Sequence, residues 1–301
     1  MQRTVGVVKV FVPNDHYLYV PSLGKELQGC PPVSITGSYC ALRCKHCNAK
    51  ILERMVPAET PWKLVKVVEE LHKRGAKSVL ISGGSNQWGQ VPFEEFVDAI
   101  KCIRGLGLRV YMHTGLVDEY RAQLLKEAGI DAALIDFTVE ERVVREVLNL
   151  GVAPENFIDS VRNLVRFSVR VVPHIVIGVY RGEPSGEKRA VDALKSLNPD
   201  AVVLVVFTPL PNTPFGNCHP PPPTYVSEVL KYARYSLPNT PLSYGCMKPH
   251  RESYQLLEIE VIQLGFDGIS FPSYSTVEYI INENIPFRVL QECCAYIAVQ
   301  K

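Results

Sequence analysis

Eight short apolar runs, alternating with longer amphipathic segments, most constrain what this chain can fold into. They fall at 33–36, 78–82, 109–112, 132–136, 171–177, 201–207, 241–244 and 268–271. Each is too short for a helix, and several are rich in Val and Ile. Nearly all lack polar alternation, which suits strands buried on both faces of a parallel sheet. Helical signatures fill the gaps. Thr60-Pro61 reads as an N-cap followed by proline at the first helical position. Leu64, Val67, Val68 and Leu71 then repeat at helical spacing, and Gly75 can close the helix. Phe93, Phe96, Val97, Ile100 and Ile103 form a second stripe, Val143, Val144, Val147 and Leu148 a third, and Val226, Val229, Leu230 and Ala233 a fourth. Eight strand–helix units predict an α/β fold of the (β/α)8 TIM-barrel type. The expected domain spans 31–283, with an N-terminal extension at 1–30 and a C-terminal one at 284–301.

In such a barrel, chemistry sits on the loops that follow the strands. The loop after the first run reads Gly37-Ser38-Tyr39-Cys40-Ala41-Leu42-Arg43-Cys44-Lys45-His46-Cys47. Three cysteines this close cannot complete a four-sulfur site. In a cubane [4Fe–4S] cluster they leave one iron open, where a small cofactor can chelate. The competing readings are a zinc site and a chance cluster. Structural zinc usually takes four ligands, often from paired knuckles, and no second knuckle occurs here. A disulfide framework fits poorly with nine cysteines in 301 residues and no secretory leader.

The bulk composition is ample for a packed globular core. The chain is 47% hydrophobic and 21% charged, with a formal net charge of +1. That offers no basic field for nucleic acid. No run of about eighteen apolar residues occurs, so no membrane span is expected. These features predict a cytoplasmic protein.

The cysteine run resembles the signature of the radical S-adenosylmethionine (SAM) superfamily, with His46 at the aromatic position. More broadly, the chain from about residue 11 onward resembles the biotin synthase-like branch. The resemblance implies that the open iron holds SAM. Reductive cleavage of SAM then yields a 5′-deoxyadenosyl radical that takes a hydrogen atom from substrate. It also implies cofactor contacts. Gly83-Gly84-Ser85 stands at the family's Gly-Gly-Glu motif, with Ser85 in place of the acid. Ile177 and Gly178 belong to the segment that packs on adenine, with Arg181 where the family has glutamate. Asp136 could bond ribose hydroxyls or cap a helix. Thr208 to Pro214 resembles a Pro-x-x-Gly-Thr-Pro loop, with Asn212 in place of glycine. His113 and His174 lie at or near strand ends and read as structural. Lys248, His250 and Arg251 read either as a substrate-carboxylate site or as a solvated helix start.

The remaining cysteines divide by position. Cys102 lies off its helix's apolar stripe and reads as an inert surface thiol. Cys30, Cys246, Cys293 and Cys294 are candidates for a second iron–sulfur cluster that donates sulfur, with Cys218 in reserve. Free cysteines are equally often small buried hydrophobes. Gly37–Cys47, the run 113–119 and the run 245–249 resemble archaeal biotin synthase homologues, some of which act in a two-protein lipoyl synthase. That resemblance implies an octanoylated lipoyl carrier protein as substrate, a second radical SAM protein as partner and an electron donor such as ferredoxin. The alternatives are rearrangement or C–C chemistry without sulfur transfer, and a non-catalytic iron–sulfur scaffold.

Overall fold

The computed structural model describes residues 6–13 and 29–299. Most of the expected N-terminal extension and the last two residues lie outside that range. One all-parallel sheet organises the chain. The eight expected strands are β2 (Pro32–Ser34), β4 (Ser78–Ser82), β5 (Arg109–His113), β6 (Ala132–Asp136), β7 (Val171–Ile177), β8 (Val202–Val206), β9 (Leu242–Tyr244) and β10 (Gly268–Ser270). They neighbour one another in sequence order. Three further strands lie on the flanks: β1 (Val8–Phe11) and β11 (Phe287–Leu290) beyond β10, and β3 (Val56–Pro57) beyond β2. The full order is β11-β1-β10-β9-β8-β7-β6-β5-β4-β2-β3.

The expected α/β barrel is present, and it is open. Among the described residues no strand pairing joins its two ends, so it is a partial barrel. β1 runs parallel to both its neighbours, with Val10 opposite Ile269 and Val289. At the gap, the Cys30 N–H donates to the Pro13 carbonyl at 3.1 Å.

The strands lack polar alternation because both faces are covered. Along β8, Val202, Leu204 and Val206 pack outward in the main core. Val203 and Val205, with Ala201 just before the strand, face a separate inner cluster. On β6, Ala133 and Ile135 face out, and Ala132 and Leu134 face in. The period of two thus divides each strand between helix layer and lumen.

The helices are α1 (Pro61–Lys73), α2 (Val97–Gly105), α3 (Glu119–Ala128), α4 (Glu155–Arg166), α5 (Glu187–Lys195), α6 (Pro223–Ser236), α7 (Glu252–Gln263) and α8 (Tyr274–Asn282). α1 starts as its sequence predicts: Thr60 Oγ1 accepts from the Lys63 N–H at 3.2 Å, with proline in the first turn. The expected helix at 143–148 is instead a short π-type turn over Val143–Val147. Its three valines are all buried. Burial without enough helix length explains why the stripe looked helical.

The C-terminal segment does not stay outside. After β11 the chain turns inward, and a 3-10 turn over Cys294–Ala298 packs against β6, β7, β9 and β10. Ala295 and Ile297 are buried in the lumen with Phe11, Leu134 and Val203. The barrel is therefore stoppered from one end by its segment 293–299. No helix among the described residues is long and apolar enough to cross a membrane.

Candidate active site

The cysteine loop follows β2, at the end of the barrel opposite the C-terminal stopper's entry. Its backbone is unusual: Arg43, Asn48 and Ala49 have φ of 44°, 46° and 62°. Such conformations cost energy for residues with a side chain and persist only where the surroundings hold them. Three other strand-end loops do so. The Ala41 N–H donates to the Ser85 carbonyl after β4 at 2.8 Å. The Lys45 N–H donates to Val147 O at 2.8 Å, and Asn149 Nδ2 to Leu42 O at 2.8 Å, both after β6. The Phe215 N–H, after β8, donates to Lys45 O at 3.1 Å. The turn at 143–147 thus clamps the cysteine loop, a role the sequence did not reveal.

Within the loop, ligand atoms of Cys44, His46 and Cys47 lie within 4.8 Å of one another. Cys44 is buried, while Cys40 and Cys47 are half-buried. A hydrogen bond from Cys44 holds the Cys47 thiol down at about 4, against burial, with His46 assisting. Cys44, as the donor, is pushed well up. Burial opposes charging of His46, but the hydrogen bond to Cys47 and the charges of Cys47 and Asp136 together raise it. His46 Nδ1 is buried without a partner among the described residues. A ready thiolate, two neighbouring thiols and a strained, clamped loop fit a metal–sulfur cluster better than a packing role.

The glycine pair after β4 has a different immediate cause from the one expected. A Cβ on Gly84 would lie 1.9 Å from Tyr39 O and 2.5 Å from Cys40 Cα. The backbone that Gly84 admits is therefore that of the cysteine loop itself, not only a ligand. The Gly84 N–H also donates to Thr36 Oγ1 at 2.6 Å. Gly83 is less crowded, with side-chain atoms of Ile35 and Thr36 at 3.2 Å from such a Cβ. Gly84→Val should accordingly displace Cys40. The expected result is loss of iron on reconstitution as well as loss of SAM binding. Retained iron with only SAM affinity reduced would instead restore the expectation drawn from the sequence.

Beside the loop lies a cleft lined by His46, Asp136, Phe137, Leu148, Ile175 and Val176, among others. Its walls are largely apolar with two carboxylates, Asp136 and Glu187, a composition suited to a heterocycle carrying hydroxyl groups. Asp136 is accessible although protein surrounds it, so it faces the lumen. It caps no helix, and burial raises its carboxyl, with His174 and His46 opposing. Ile177 does not line this cleft: it is buried in the main core, while Ile175, Val176 and Val179 are the lining residues. Gly178 has φ of 73°, and a Cβ there would strike Pro221 at 2.7 Å.

The carboxylate that serves this segment is Glu187, not a residue at position 181. Glu187 is 2% exposed. It accepts from Gly178 N (2.6 Å), Ser185 N (2.8 Å), Ser185 Oγ (2.7 Å) and Tyr225 OH (2.6 Å). Glu187→Ala strands four donors, so a loss of about 3 kcal/mol is expected in urea unfolding. A loss under about 1 kcal/mol would mean water replaces the carboxylate. Asn212 has φ of 60°, a conformation asparagine tolerates, which accounts for its place in a glycine position.

The other cysteines sort by location. Cys30, Cys293 and Cys294 are buried in the inner cluster. Cys246 is accessible from within the barrel. The Cys293 and Cys294 sulfurs are 4.0 Å apart, and Cys294 Sγ is 3.9 Å from His174 Nε2. Burial and the Cys293 charge push up both Cys30 and Cys246. Cys294 is raised by its hydrogen bond to Cys293 and also feels Cys246. Cys30, Cys293 and Cys294 thus share the inner cluster, with Cys246 close enough to feel Cys293. Among the described residues the four do not close to ligand distance, as Cys44, His46 and Cys47 do. Cys218 packs elsewhere, with Phe207, Phe215 and Val179, and Cys102 is exposed.

Between the two cysteine groups stand His113 and His174, ring centroids 5.5 Å apart. Burial holds both down at about 4, so they are neutral near pH 7. Lys248 is not available to a substrate carboxylate. It is 2% exposed, pairs with Glu258 at 3.3 Å and donates to Ser270 O.

A partial parallel α/β barrel with a three-cysteine loop at its strand ends defines a class of cluster-dependent enzymes. The match to the Radical SAM superfamily over residues 34–194 covers just over half of the chain, and the chain belongs to that family. It is a radical SAM enzyme related to biotin synthase, with a [4Fe–4S] cluster and SAM as its cofactors. It is 24% identical over 210 residues to biotin synthase of Schizosaccharomyces pombe, covering 64% of this chain and 55% of that one. It is 24% identical over 242 residues to biotin synthase of Sorangium cellulosum, covering 77% and 68%. The match thus spans roughly half to two thirds of these relatives' lengths. The hydrogenase maturase HydG from Carboxydothermus hydrogenoformans shares the fold, with a TM-score of 0.64 at 17% identity over 97% of this chain and 70% of that one. Methylornithine synthase does so with a TM-score of 0.57 at 15% identity over 80% and 71%.

Proposed function

We propose that this chain inserts sulfur into unactivated C–H bonds of a protein-bound octanoyl chain, in a reaction of the lipoyl synthase type. The observation that carries this reading is that Cys30, Cys293 and Cys294 are buried together inside the barrel the cysteine loop overlooks, with Cys246 within electrostatic range of Cys293 and Cys294. Cys40, Cys44 and Cys47 would hold the [4Fe–4S] cluster, which with SAM supplies a carbon radical able to abstract hydrogen. Asp136 would bond the ribose hydroxyls, and Val176 and Val179 would flank the adenine. Gly83 and Ser85 would lie near the methionine end.

Replacing a C–H by a C–S bond needs a sulfur donor in the same chamber as the hydrogen acceptor. These four thiols are a suitable donor set for a second, sacrificial iron–sulfur cluster. Neutral His113 and His174 would line the path without adding charge beside a radical. An octanoylated carrier protein would present its chain at the open end of the barrel. A second radical SAM protein and a reductant such as ferredoxin complete the proposed system.

The test is incubation with octanoylated carrier, SAM and reductant, with and without a partner enzyme, followed by product mass. A gain of one or two sulfurs supports the reading. No gain, with iron for only one cluster, favours rearrangement or C–C chemistry instead.

A further inference from the structure

The C-terminal stopper packs along its whole turn: Cys293, Cys294, Ala295 and Ile297 are buried in the inner cluster, and Tyr296, Ala298 and Val299 pack against it. Apolar burial is non-directional, so it holds the segment in the lumen without fixing which way each sulfur faces. A polar anchor at its entrance supplies the direction. Glu292 is 5% exposed and immediately precedes Cys293. Its carboxylate accepts from Ser78 Oγ at 2.7 Å, Tyr111 OH at 3.0 Å and Arg109 Nε at 3.1 Å, with Arg109 Nη2 closing a second contact. Ser78 and Arg109 open β4 and β5, so the anchor lies at the floor of the barrel, opposite the cysteine loop. Arg109 also lies over the Tyr296 ring, 5.2 Å from its centroid. One arginine thus grips the stopper on both sides of the cysteine pair.

We infer that Glu292 is a positioning residue that seats Cys293 and Cys294 in the lumen through its buried contacts with Arg109, Tyr111 and Ser78. This rests on the reading that those cysteines belong to a second cluster. The chemistry favours an anchor over mere packing. A fork of guanidinium N–H groups fixes a carboxylate in direction as well as distance. Two hydroxyls complete the acceptor set, so the carboxylate is satisfied where it sits. With the carboxylate fixed, the following peptide has little freedom, and the Cys293 sulfur is aimed inward. Releasing the anchor leaves Arg109 and Tyr111 without their partner and the turn without its clamp. The three anchor partners stand 214, 183 and 181 residues away in sequence. Contacts so distant make the cysteine pair's position a product of the completed barrel.

The experiment has one readout that needs no cluster. Metal-free full-length protein is treated with iodoacetamide, and labelling of Cys293 and Cys294 is followed by peptide mass. Glu292→Gln and Arg109→Met are each expected to raise the labelling rate at least tenfold, with Cys40, Cys44 and Cys47 unchanged. Arg109→Lys, which keeps the charge but not the fork, should fall between them and wild type. After anaerobic reconstitution, the two disruptive variants should lose about four irons per chain, the content of one cubane, while keeping SAM cleavage. Wild-type labelling rates in both variants would overturn the inference, and so would faster labelling with no change in iron where wild type holds two clusters. Should Glu292→Gln fail to fold, Tyr111→Phe removes one anchor contact and must still raise labelling. Wild type with about four irons only would end the second-cluster reading. The labelling result would then decide the anchor by itself.

Discussion

Replacing any one of Cys40, Cys44 or Cys47 by alanine is expected to abolish SAM cleavage, a drop of at least about 1000-fold, and to remove about four irons from the reconstituted protein. The three thiols are the loop's entire sulfur supply, and a three-point attachment leaves no redundancy. The loop itself should survive. Its fastenings to Ser85, Val147, Asn149 and Phe215 all run through its backbone carbonyls and N–H groups, not through the sulfurs. Cys44 is the costliest of the three to remove, since it is 7% exposed and its Sγ also packs 3.5 Å from Leu148 O. Serine at position 47 is a sharper probe than alanine. It keeps the size and the hydrogen bond from Cys44 but lacks a thiolate's affinity for iron. Circular dichroism should match wild type in each case. Cleavage of SAM to 5′-deoxyadenosine under dithionite is the decisive measurement, and wild-type rates in any variant would refute the assignment of that cysteine.

The eight barrel strands were legible because both of their faces are buried, which writes a short continuous apolar run into each. The flanking strands were not. β3 has two residues, both exposed, and β11 has no fully buried residue. These two exist because a neighbour offers an unpaired edge, and an edge leaves no mark in the sequence that pairs with it; β1, paired on both sides and buried at three of its four residues, is a different case. The stripe at 143–148 was misread because apolar spacing alone cannot distinguish a helix from one wide turn. The cysteine loop was legible by spacing, whereas the loops that clamp it were not. Asn149 reaches Leu42 across 107 residues, and Phe215 reaches Lys45 from further along the chain; neither has a local signature. Glu187 was missed for a related reason. The sequence directed attention to position 181, but the carboxylate reaches Gly178 from the first turn of α5. Cys30, Cys246 and the Cys293–Cys294 pair could be named as candidates, but their meeting depends on the C-terminus entering the lumen. No composition or period records that path.

Replacing Cys30, Cys246, Cys293 and Cys294 together by alanine is expected to remove about four irons, to eliminate sulfur insertion and to leave SAM cleavage within about threefold of wild type. The separation follows from where the two groups sit. None of the four contributes to the contacts that clamp the cysteine loop. Cys30, Cys293 and Cys294 pack in the inner cluster with Phe11 and Val203, and none of them lines the cleft that Asp136 lines. Alanine suits these three sites because a buried free cysteine behaves as a small hydrophobe, so each change should cost about 1 kcal/mol. The Cys294 change also removes the thiol facing His174 Nε2. That nitrogen's ring is already anchored by Nδ1, 2.9 Å from Val172 O, so the imidazole should keep its orientation. Iron and sulfide analysis, deoxyadenosine formation and product mass separate the outcomes. Loss of about four irons with SAM cleavage intact supports a dedicated sulfur donor. Unchanged iron would show that these thiols hold no cluster. Loss of both iron and cleavage, in a protein that remains folded, would mean that the two sites are not independent and would remove the basis for assigning them separate tasks.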